Sequence, residues 1–227
     1  MKYITPTIAG LFMGLILLSA CTLTGKNGKD TMEKAPIMEE KLSAEELGKL
    51  KKAYFASGCF WCVEAIFESV IGVKEVVSGY AGGEIDNPSY RQVASGQTRH
   101  AEAVEVYYDP ELVSYETLLL VFFDSHDPTT KDRQGPDRGP QYRSAIFYIG
   151  ETEKNMVDAY IQKLKDEEAF DGEITTEVSP FTKFWKAEEY HQDFERKNPN
   201  QPYVRAVSIP RLNKFKAKHP ELLKKEH

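Results

Sequence analysis

The chain has 227 residues, of which 41% are hydrophobic and 11% aromatic, so it is long and apolar enough to bury one sizeable core. Its formal net charge of -6 excludes the broad basic surface with which proteins gather nucleic acid, and no nucleic-acid partner is predicted. The three cysteines, Cys21, Cys59 and Cys62, are too few for a disulfide framework or for a four-cysteine zinc site.

The N-terminal sequence predicts that the protein is exported, and it is not expected to form part of the folded domain. Residues 1–20 read as a signal peptide, because Lys2 precedes an apolar run over 8–18 that is short for a membrane-spanning helix. The sequence LSAC at 18–21 resembles the lipobox of bacterial lipoproteins. It predicts a lipidated Cys21 that anchors the exported protein to the cell membrane or outer membrane, facing the extracytoplasmic space. An ordinary signal peptide, or an uncleaved anchor, is the alternative. Residues 21–50 show little apolar periodicity and predict a flexible tether.

The rest of the chain, residues 51–227, predicts one folded domain with a C-terminal tail. Apolar periodicity and turn residues predict strands over 52–57, 73–80, 101–108, 144–149 and 173–178, and helices starting at 59, after 89, and over 114–123, 151–168 and 187–196. The polar stretch 125–143 is rich in glycine and proline, and a loop of that length in a compact domain is usually functional. These elements predict an α+β fold, a two-layer α/β sandwich with a mixed sheet flanked by helices and long loops at the active site.

The sequence GCFWC at 58–62 places two thiols three residues apart at a predicted strand-to-helix turn. Free N–H groups and the dipole at a helix N-terminus stabilise a thiolate, so Cys59 is expected to be the more reactive thiol. From the spacing alone, a redox pair, a metal-binding pair and packing cysteines all remain open. Phe60 and Trp61 indicate either an apolar pocket beside the sulfur or core anchors for the helix.

GCFWC resembles the GCFWx signature of the A-type peptide methionine sulfoxide reductases. Four further segments resemble that family in the same order: PSY at 88–90, HAEAV at 100–104, HDPT at 126–129 with GPQYRS at 139–144, and AEEYHQ at 187–192. The resemblance covers residues 53–210. It implies an enzyme that reduces methionine S-sulfoxide, free or in proteins, with no bound cofactor and with thioredoxin or a similar dithiol as reductant. A monomer that repairs oxidised exported proteins is expected.

The resemblance also implies residue roles. Cys59 attacks the sulfoxide sulfur while Glu102 protonates the departing oxygen, which a carboxyl can do near neutral pH only if burial keeps it protonated. Tyr90 and Tyr142 donate hydrogen bonds to that oxygen. Further implied roles are a clasp on the substrate methyl group by Phe60 and Trp61 and substrate binding by Asp137. Without the resemblance, Glu102 reads as an exposed strand carboxylate, the tyrosines as packing residues and Asp137 as a loop carboxylate. His126 and His191 are expected to be hydrogen-bonded structural residues, and no residues show metal-ligand spacing.

Cys62 departs from the family pattern, since many members have glycine there and carry recycling cysteines near the C-terminus. No cysteine follows Cys62 here, and the chain after Lys214 is too short for a fused B-type domain, so a single sulfoxide epimer is expected. Cys62 is then the only intramolecular candidate to resolve a Cys59 sulfenic acid, forming a disulfide at an exposed turn. Alternatively, Cys62 packs and an external thiol reduces the sulfenic acid.

Two other functions remain open. A thioredoxin-like disulfide oxidoreductase would use Cys59 and Cys62 without reducing sulfoxides. A non-enzymatic lipoprotein would bind a ligand through Phe60 and Trp61 and keep its function after Cys59→Ser.

Overall fold

A computed structural model describes residues 42–225 of the chain. The predicted signal peptide, Cys21 and residues 21–41 of the predicted tether lie outside these residues. Among the described helices, none combines the length and the apolar character needed to cross a membrane.

A six-stranded mixed sheet forms the centre of the domain. Its strands are β1 (Lys51–Ser57), β2 (Val73–Ala81), β3 (Ala101–Tyr108), β6 (Ser144–Tyr148), β7 (Glu177–Pro180) and β8 (Phe184–Lys186). They lie in the order β7-β6-β1-β3-β2-β8, and all neighbours are antiparallel except the parallel pair of β6 and β7. A separate hairpin pairs β4 (Arg133–Gln134) with β5 (Asp137–Arg138) inside the long loop.

Seven α-helices occur in the described part of the chain: α1 (Ala44–Gly48), α2 (Phe60–Glu68), α3 (Tyr90–Ala94), α4 (Tyr115–Asp124), α5 (Gly150–Asp166), α6 (Phe194–Lys197) and α7 (Ile209–Lys218). A π-helical turn at Val204–Ser208 leads directly into α7. Short 3-10 turns cover Pro140–Tyr142, Glu189–His191 and Pro220–Leu222. The prediction of an α+β fold with a mixed sheet flanked by helices is confirmed.

The central strands are buried on both faces. On one face, Phe55 of β1 and Val104 of β3 belong to the main core, against which α2 and α4 pack. On the other face, Tyr54 stacks on Phe181 at a ring-centroid distance of 3.8 Å. Since α2 packs on β2 and β3, its N-terminus lies over the beginning of β3. This arrangement places the cysteine turn beside the first residues of that strand.

The structure differs from the predicted elements mainly after residue 170. The strand predicted over 173–178 begins later, at β7. The helix predicted over 187–196 is wrong: a 3-10 turn and the one-turn α6 replace it, separated by Asp193 with φ +56. The segment is not helical because the Gln192 side-chain amide accepts a hydrogen bond from the N–H of Ser78 and donates one to its carbonyl, each 3.0 Å long. The strand β8 and the helices α1 and α7 were not predicted, and α1 occupies the end of the predicted tether.

Glu64 is a buried carboxyl in α2, with 2% of its surface exposed. It accepts a 3.1 Å hydrogen bond from the backbone N–H of Asp193. Burial raises the pKa of Glu64 to about 9, and the nearby carboxylate of Glu68 adds to the shift. Folding therefore favours the neutral carboxyl. Its contribution to stability is complete below the unfolded pKa and is lost as the pH rises toward 9.

We predict that Glu64→Gln stabilises the domain at pH 9 but not at pH 4, because the amide never has to ionise in the core. The expected gain at pH 9 is at least about 1 kcal/mol, or roughly 2–4 °C in melting temperature, measured by thermal unfolding. Glu111→Gln, which changes an exposed carboxylate, is the matched control and should show no pH-dependent difference. Identical melting of Glu64→Gln and wild type at pH 9 would contradict a neutral Glu64.

Candidate active site

The turn between β1 and α2 fixes the position of both thiols. Gly58 has φ +93, and a Cβ added there would lie 2.6 Å from Cβ of Gln134, so only glycine fits. Cys59 then caps the N-terminus of α2, and the N–H of Cys62 donates a 3.1 Å hydrogen bond to the Cys59 carbonyl. Cys59 is 7% and Cys62 1% exposed, so the expectation of an exposed turn is wrong for the reduced protein.

The two buried thiols have different electrostatic surroundings. Burial raises the pKa of Cys59, and its hydrogen bond with Cys62 raises it further. The pKa of Cys62 falls to about 6 because the hydrogen bond from Cys59, together with Arg211, Ser208 and Tyr203, outweighs burial. The helix N-terminus alone favoured Cys59, but the C-terminal part of the chain supplies a cation to Cys62.

Glu102 lies on β3, paired with Tyr80 of β2, and is 1% exposed. Its carboxylate accepts a 3.1 Å hydrogen bond from the backbone N–H of Phe60, in the first turn of α2. Burial raises the pKa of Glu102 to about 8, although this hydrogen bond opposes the shift. At neutral pH the carboxyl is therefore protonated and can act as an acid. Glu102 faces the same side of β3 as Val104, so the reading as an exposed strand carboxylate is wrong.

Two tyrosines approach Glu102 from separate segments. Tyr90 begins α3, and its N–H donates a 2.9 Å hydrogen bond to Glu188. Tyr142 ends a 3-10 turn whose Gln141 donates a 3.1 Å hydrogen bond to the Ala94 carbonyl. Burial raises the pKa of Tyr90 to about 12, and Glu102 and Cys59 raise it further. The pKa of Tyr142 is raised by burial and then by Glu102. Both phenols keep their protons and can donate hydrogen bonds near neutral pH.

The aromatic residues between the thiols have different surroundings. Phe60 is 1% exposed, and its ring packs 5.0 Å from that of His191. Trp61 is half-buried, stacks on Phe194 at 3.7 Å, and donates a 3.1 Å hydrogen bond from Nε1 to Nδ1 of His191. Phe60 is therefore a core anchor behind the site. Trp61 is the one of the two that keeps an accessible surface.

The motif AEEYHQ contributes two support residues to which the sequence assigned no precise contact. Glu188 accepts a 2.8 Å hydrogen bond from the Tyr80 hydroxyl, in addition to the one from Tyr90. Nδ1 of His191 accepts a hydrogen bond from Trp61, while its buried Nε2 has no hydrogen-bond partner among residues 42–225. His126 contacts the Phe122 carbonyl at 2.6 Å and Ser144 Oγ at 2.8 Å, and burial lowers its pKa to about 3, so it is neutral.

The C-terminal segment completes the site, and sequence reasoning gave it no role. Asp137 of β5 accepts a 2.5 Å hydrogen bond from the hydroxyl of Tyr203, and burial raises the pKa of this carboxyl. That hydroxyl lies 4.0 Å from Sγ of Cys62. A cavity of about 380 Å³ is lined by Cys62, Asp137, Tyr203 and Arg211 among others. In the sequence, only the helical spacing of Val204, Ser208, Arg211 and Phe215 could have predicted this segment, because no motif marks it.

The arrangement therefore combines a sulfur nucleophile, a buried acid and two phenol donors around one turn. Within residues 42–225, no group of three or more histidine, cysteine, aspartate or glutamate side chains is placed to hold a metal ion.

The chain is similar in sequence to known proteins. A family described as peptide methionine sulfoxide reductase matches residues 51–223. Peptide methionine sulfoxide reductase MsrA 1 of Rhodopirellula baltica is 52% identical over 163 residues, which cover 72% of this chain and 84% of the relative. The enzyme MsrA of Chromobacterium violaceum is 48% identical over 174 residues, covering 77% of this chain and 99% of the relative.

Solved structures are similar as well. Methionine sulfoxide reductase A of Corynebacterium diphtheriae has a TM-score of 0.59 at 38% identity, covering 66% of this chain and 75% of that one. Mxr1 from Saccharomyces cerevisiae in its reduced form has a TM-score of 0.62 at 33% identity, covering 67% and 88%. These matches agree with the motifs and with the observed sheet.

Proposed function

We propose a catalytic cycle and a location for this chain, which belongs to the peptide methionine sulfoxide reductase family and is an oxidoreductase of the A type. The cycle reduces methionine S-sulfoxide, free or in proteins, and uses Cys59, Glu102 and Cys62 in turn. The observation that carries it is the hydrogen bond between Glu102 and the N–H of Phe60, the residue next to Cys59. Through it, a protonated acid lies beside the sulfur nucleophile.

In the first step, Cys59 attacks the sulfoxide sulfur while Glu102 protonates the oxygen as its bond to sulfur breaks. Tyr90 and Tyr142 donate hydrogen bonds to that oxygen and stabilise the charge that develops on it. In this attack the Cys59 sulfur bonds to the substrate sulfur. The protonated oxygen then moves as hydroxide to the Cys59 sulfur, the substrate S–O bond and the transient S–S bond break, and methionine leaves with the electron pair of the S–S bond. The products are methionine and the sulfenic acid of Cys59, and the proton that Cys59 loses restores the neutral Glu102. This sequence needs the four groups to converge, and they come from α2, β3, α3 and the 3-10 turn at 140–142.

Substrate binding is proposed to involve the half-buried ring of Trp61 against the methyl group, with Phe60 behind it. Asp137 helps to hold the substrate, with its carboxylate fixed by Tyr203. An apolar methyl group suits an aromatic surface, whereas the sulfoxide oxygen suits the phenols, so the two ends of the sulfoxide are distinguished. Separate binding surfaces for the methyl group and for the oxygen support selection of a single sulfoxide epimer, for which we propose the S form.

Recycling is proposed to pass through a disulfide between Cys59 and Cys62, which a thioredoxin-type dithiol then reduces. Both thiols lie at the first turn of α2. Cys59 is the more exposed of the two, at 7% against 1%, so an external thiolate would attack its sulfur and release Cys62. A thiol of low pKa leaves faster, and the cation of Arg211 favours the Cys62 thiolate.

One turnover without reductant, followed by mass spectrometry, tests this cycle. Wild type should form one equivalent of methionine and a Cys59–Cys62 disulfide. Cys59→Ser should form none, because an alcohol is a far weaker nucleophile than a thiolate. Cys62→Ser should form the first equivalent at a near-normal rate, accumulate trappable sulfenic acid at Cys59 and lose thioredoxin-coupled turnover. Activity of Cys59→Ser within tenfold of wild type would end the mechanism, and disulfide exchange without sulfoxide reduction would favour the thioredoxin-like alternative.

We predict that Glu102→Gln slows methionine formation in a single turnover by at least about a hundredfold, because an amide cannot supply the proton. The wild-type rate should fall as the pH rises through about 8, where the Glu102 carboxyl ionises. The pH–rate profile of the variant should not show this fall. Rapid-quench measurements between pH 6 and 10 provide the readout. Glu105→Gln is the control, since Glu105 lies on the same strand but accepts hydrogen bonds from Tyr54 and Lys52 outside the site. An unchanged rate in Glu102→Gln would require another acid.

The location that we propose is extracytoplasmic. Residues 1–20 would direct export, Cys21 would carry the lipid, and residues 21–50 would connect it to the enzyme, which would repair oxidised exported proteins. The support is the sequence LSAC at 18–21 and the start of the family match at residue 51, which leaves the first 50 residues outside the enzyme family. The acyl chains would supply the membrane affinity.

We predict that Cys21→Ala releases the protein from membranes while its specific activity stays unchanged, because the anchor and the chemistry are separate. Fractionation of cells and sulfoxide reduction by the soluble fraction measure the two effects. Cys21→Ala with the signal peptide still cleaved but the protein fully retained at the membrane would refute lipidation of Cys21.

A further inference from the structure

The C-terminal helical segment places two hydroxyl groups and a cation near Cys62. We call Tyr203, Ser208 and Arg211 the C-terminal cradle. The Tyr203 hydroxyl lies 4.0 Å from Sγ of Cys62 and donates its hydrogen bond to Asp137, while Ser208 donates its own to Glu195. Arg211 lines the same cavity as Cys62. The π-helical turn at 204–208 joins the segment that carries Tyr203 to α7, and such turns occur frequently at functional sites.

Arg211 is held firmly beneath the cysteine turn. Its Nε donates a 2.7 Å hydrogen bond to the carbonyl of Ser125, and its Nη2 donates a 3.1 Å hydrogen bond to Oγ of Ser57. Ser57 ends β1, and a Cβ added at Gly58 would lie 3.6 Å from Nη1. Because these two acceptors are neutral oxygens, they orient the guanidinium without neutralising its charge.

We propose that Arg211 is a positioning residue for the resolving step, holding Cys62 as a thiolate directed at Cys59. The inference rests on the proposed function, because it concerns the disulfide that returns Cys59 to use. In this step the Cys62 sulfur attacks the sulfur of the Cys59 sulfenic acid, an S–S bond forms and the S–O bond breaks. The hydroxide that leaves takes a proton from solvent and departs as water. Cys62 is oxidised and Cys59 is reduced to the disulfide level, so no further oxidant is required.

The ionisable groups near Cys62 favour this role. Cys59, Glu102, Tyr203 and Arg211 act on Cys62 itself. Asp137 interacts with both Tyr203 and Arg211, Glu195 accepts the hydrogen bond of Ser208, and His126 lies near Arg211. The hydrogen bond with Cys59 lowers the pKa of Cys62 most, and the charge of Arg211 lowers it further against the effect of burial. A thiolate attacks a sulfenic acid far faster than a thiol does, so the charge of Arg211 would act directly on the rate of this step.

The test compares Arg211→Met with wild type in the reduced protein, using rapid quench and mass spectrometry of each cysteine. The pH midpoint for alkylation of Cys62 should rise by about one unit or more when the cation is removed. At pH 6, near the wild-type pKa of Cys62, a rise of one unit in this pKa lowers the fraction of Cys62 present as thiolate about fivefold. Disulfide formation should slow by the same factor. At pH 9 the two rates should converge, and methionine formation in the first turnover should stay within about twofold.

Matched variants separate charge from structure. Arg211→Lys keeps the cation and should restore most of the rate at pH 6. Lys214→Met removes an exposed cation that lies one turn further along α7 and lines the same cavity, so it should leave the midpoint nearly unchanged. An equal shift in Lys214→Met, or slow disulfide formation in Arg211→Met at every pH, would overturn the assignment to Arg211. If wild type forms the disulfide and Arg211→Met forms it equally fast at pH 6, the role of Arg211 is refuted and the proposed function is not. If wild type forms no disulfide, both the resolving step by Cys62 and the role of Arg211 are refuted.

Discussion

The hydrogen bond from the backbone of Phe60 to the carboxyl of Glu102 joins the two parts on which the site depends. One partner is the first turn of α2, which positions Cys59, and the other is the beginning of β3 in the centre of the sheet. The free N–H groups of a helix N-terminus need acceptors, and a buried carboxyl needs donors, so each satisfies the other. The same contact holds the Glu102 carboxyl beside the turn that carries Cys59, whereas burial of the carboxyl raises its pKa against the effect of the contact itself.

Much of this arrangement was predictable because its determinants are local. Alternating apolar residues identified β1 and β3, and Gly58 identified the turn that positions Cys59. The side of β3 that Glu102 faces was not predictable from its neighbours, since both faces of the strand are buried. The segment around Gln192 was mispredicted as a helix because its conformation is set by hydrogen bonds to Ser78, which is far away in sequence. Periodicity within one segment carries no information about such partners.

The charges that act on the thiol pair also could not be predicted from the local sequence. The helix N-terminus is a local feature and favours a thiolate on Cys59. Burial opposes it there, and a residue 149 positions after Cys62, Arg211, favours the thiolate on Cys62 instead. In the proposed cycle Cys62 attacks second and leaves first, and the cation of Arg211 favours its thiolate in both steps. The family motif identifies Cys59 alone, and the proposed role of Cys62 rests on the residues of the C-terminal cradle.

Glu64 shows why burial and a raised pKa do not by themselves identify the acid of this site. It lies on α2, close in sequence to both thiols, and the pKa of its carboxyl is raised as that of Glu102 is. Its hydrogen bond comes from Asp193, and the other charges that act on it are those of Glu68 and Asp193, so it is surrounded by structural groups. Glu102, in contrast, influences the pKa of Tyr90 and Tyr142, both of which can donate to a substrate oxygen. The convergence of different chemical groups therefore distinguishes the functional carboxyl, and the shared shift reflects only a shared depth in the core.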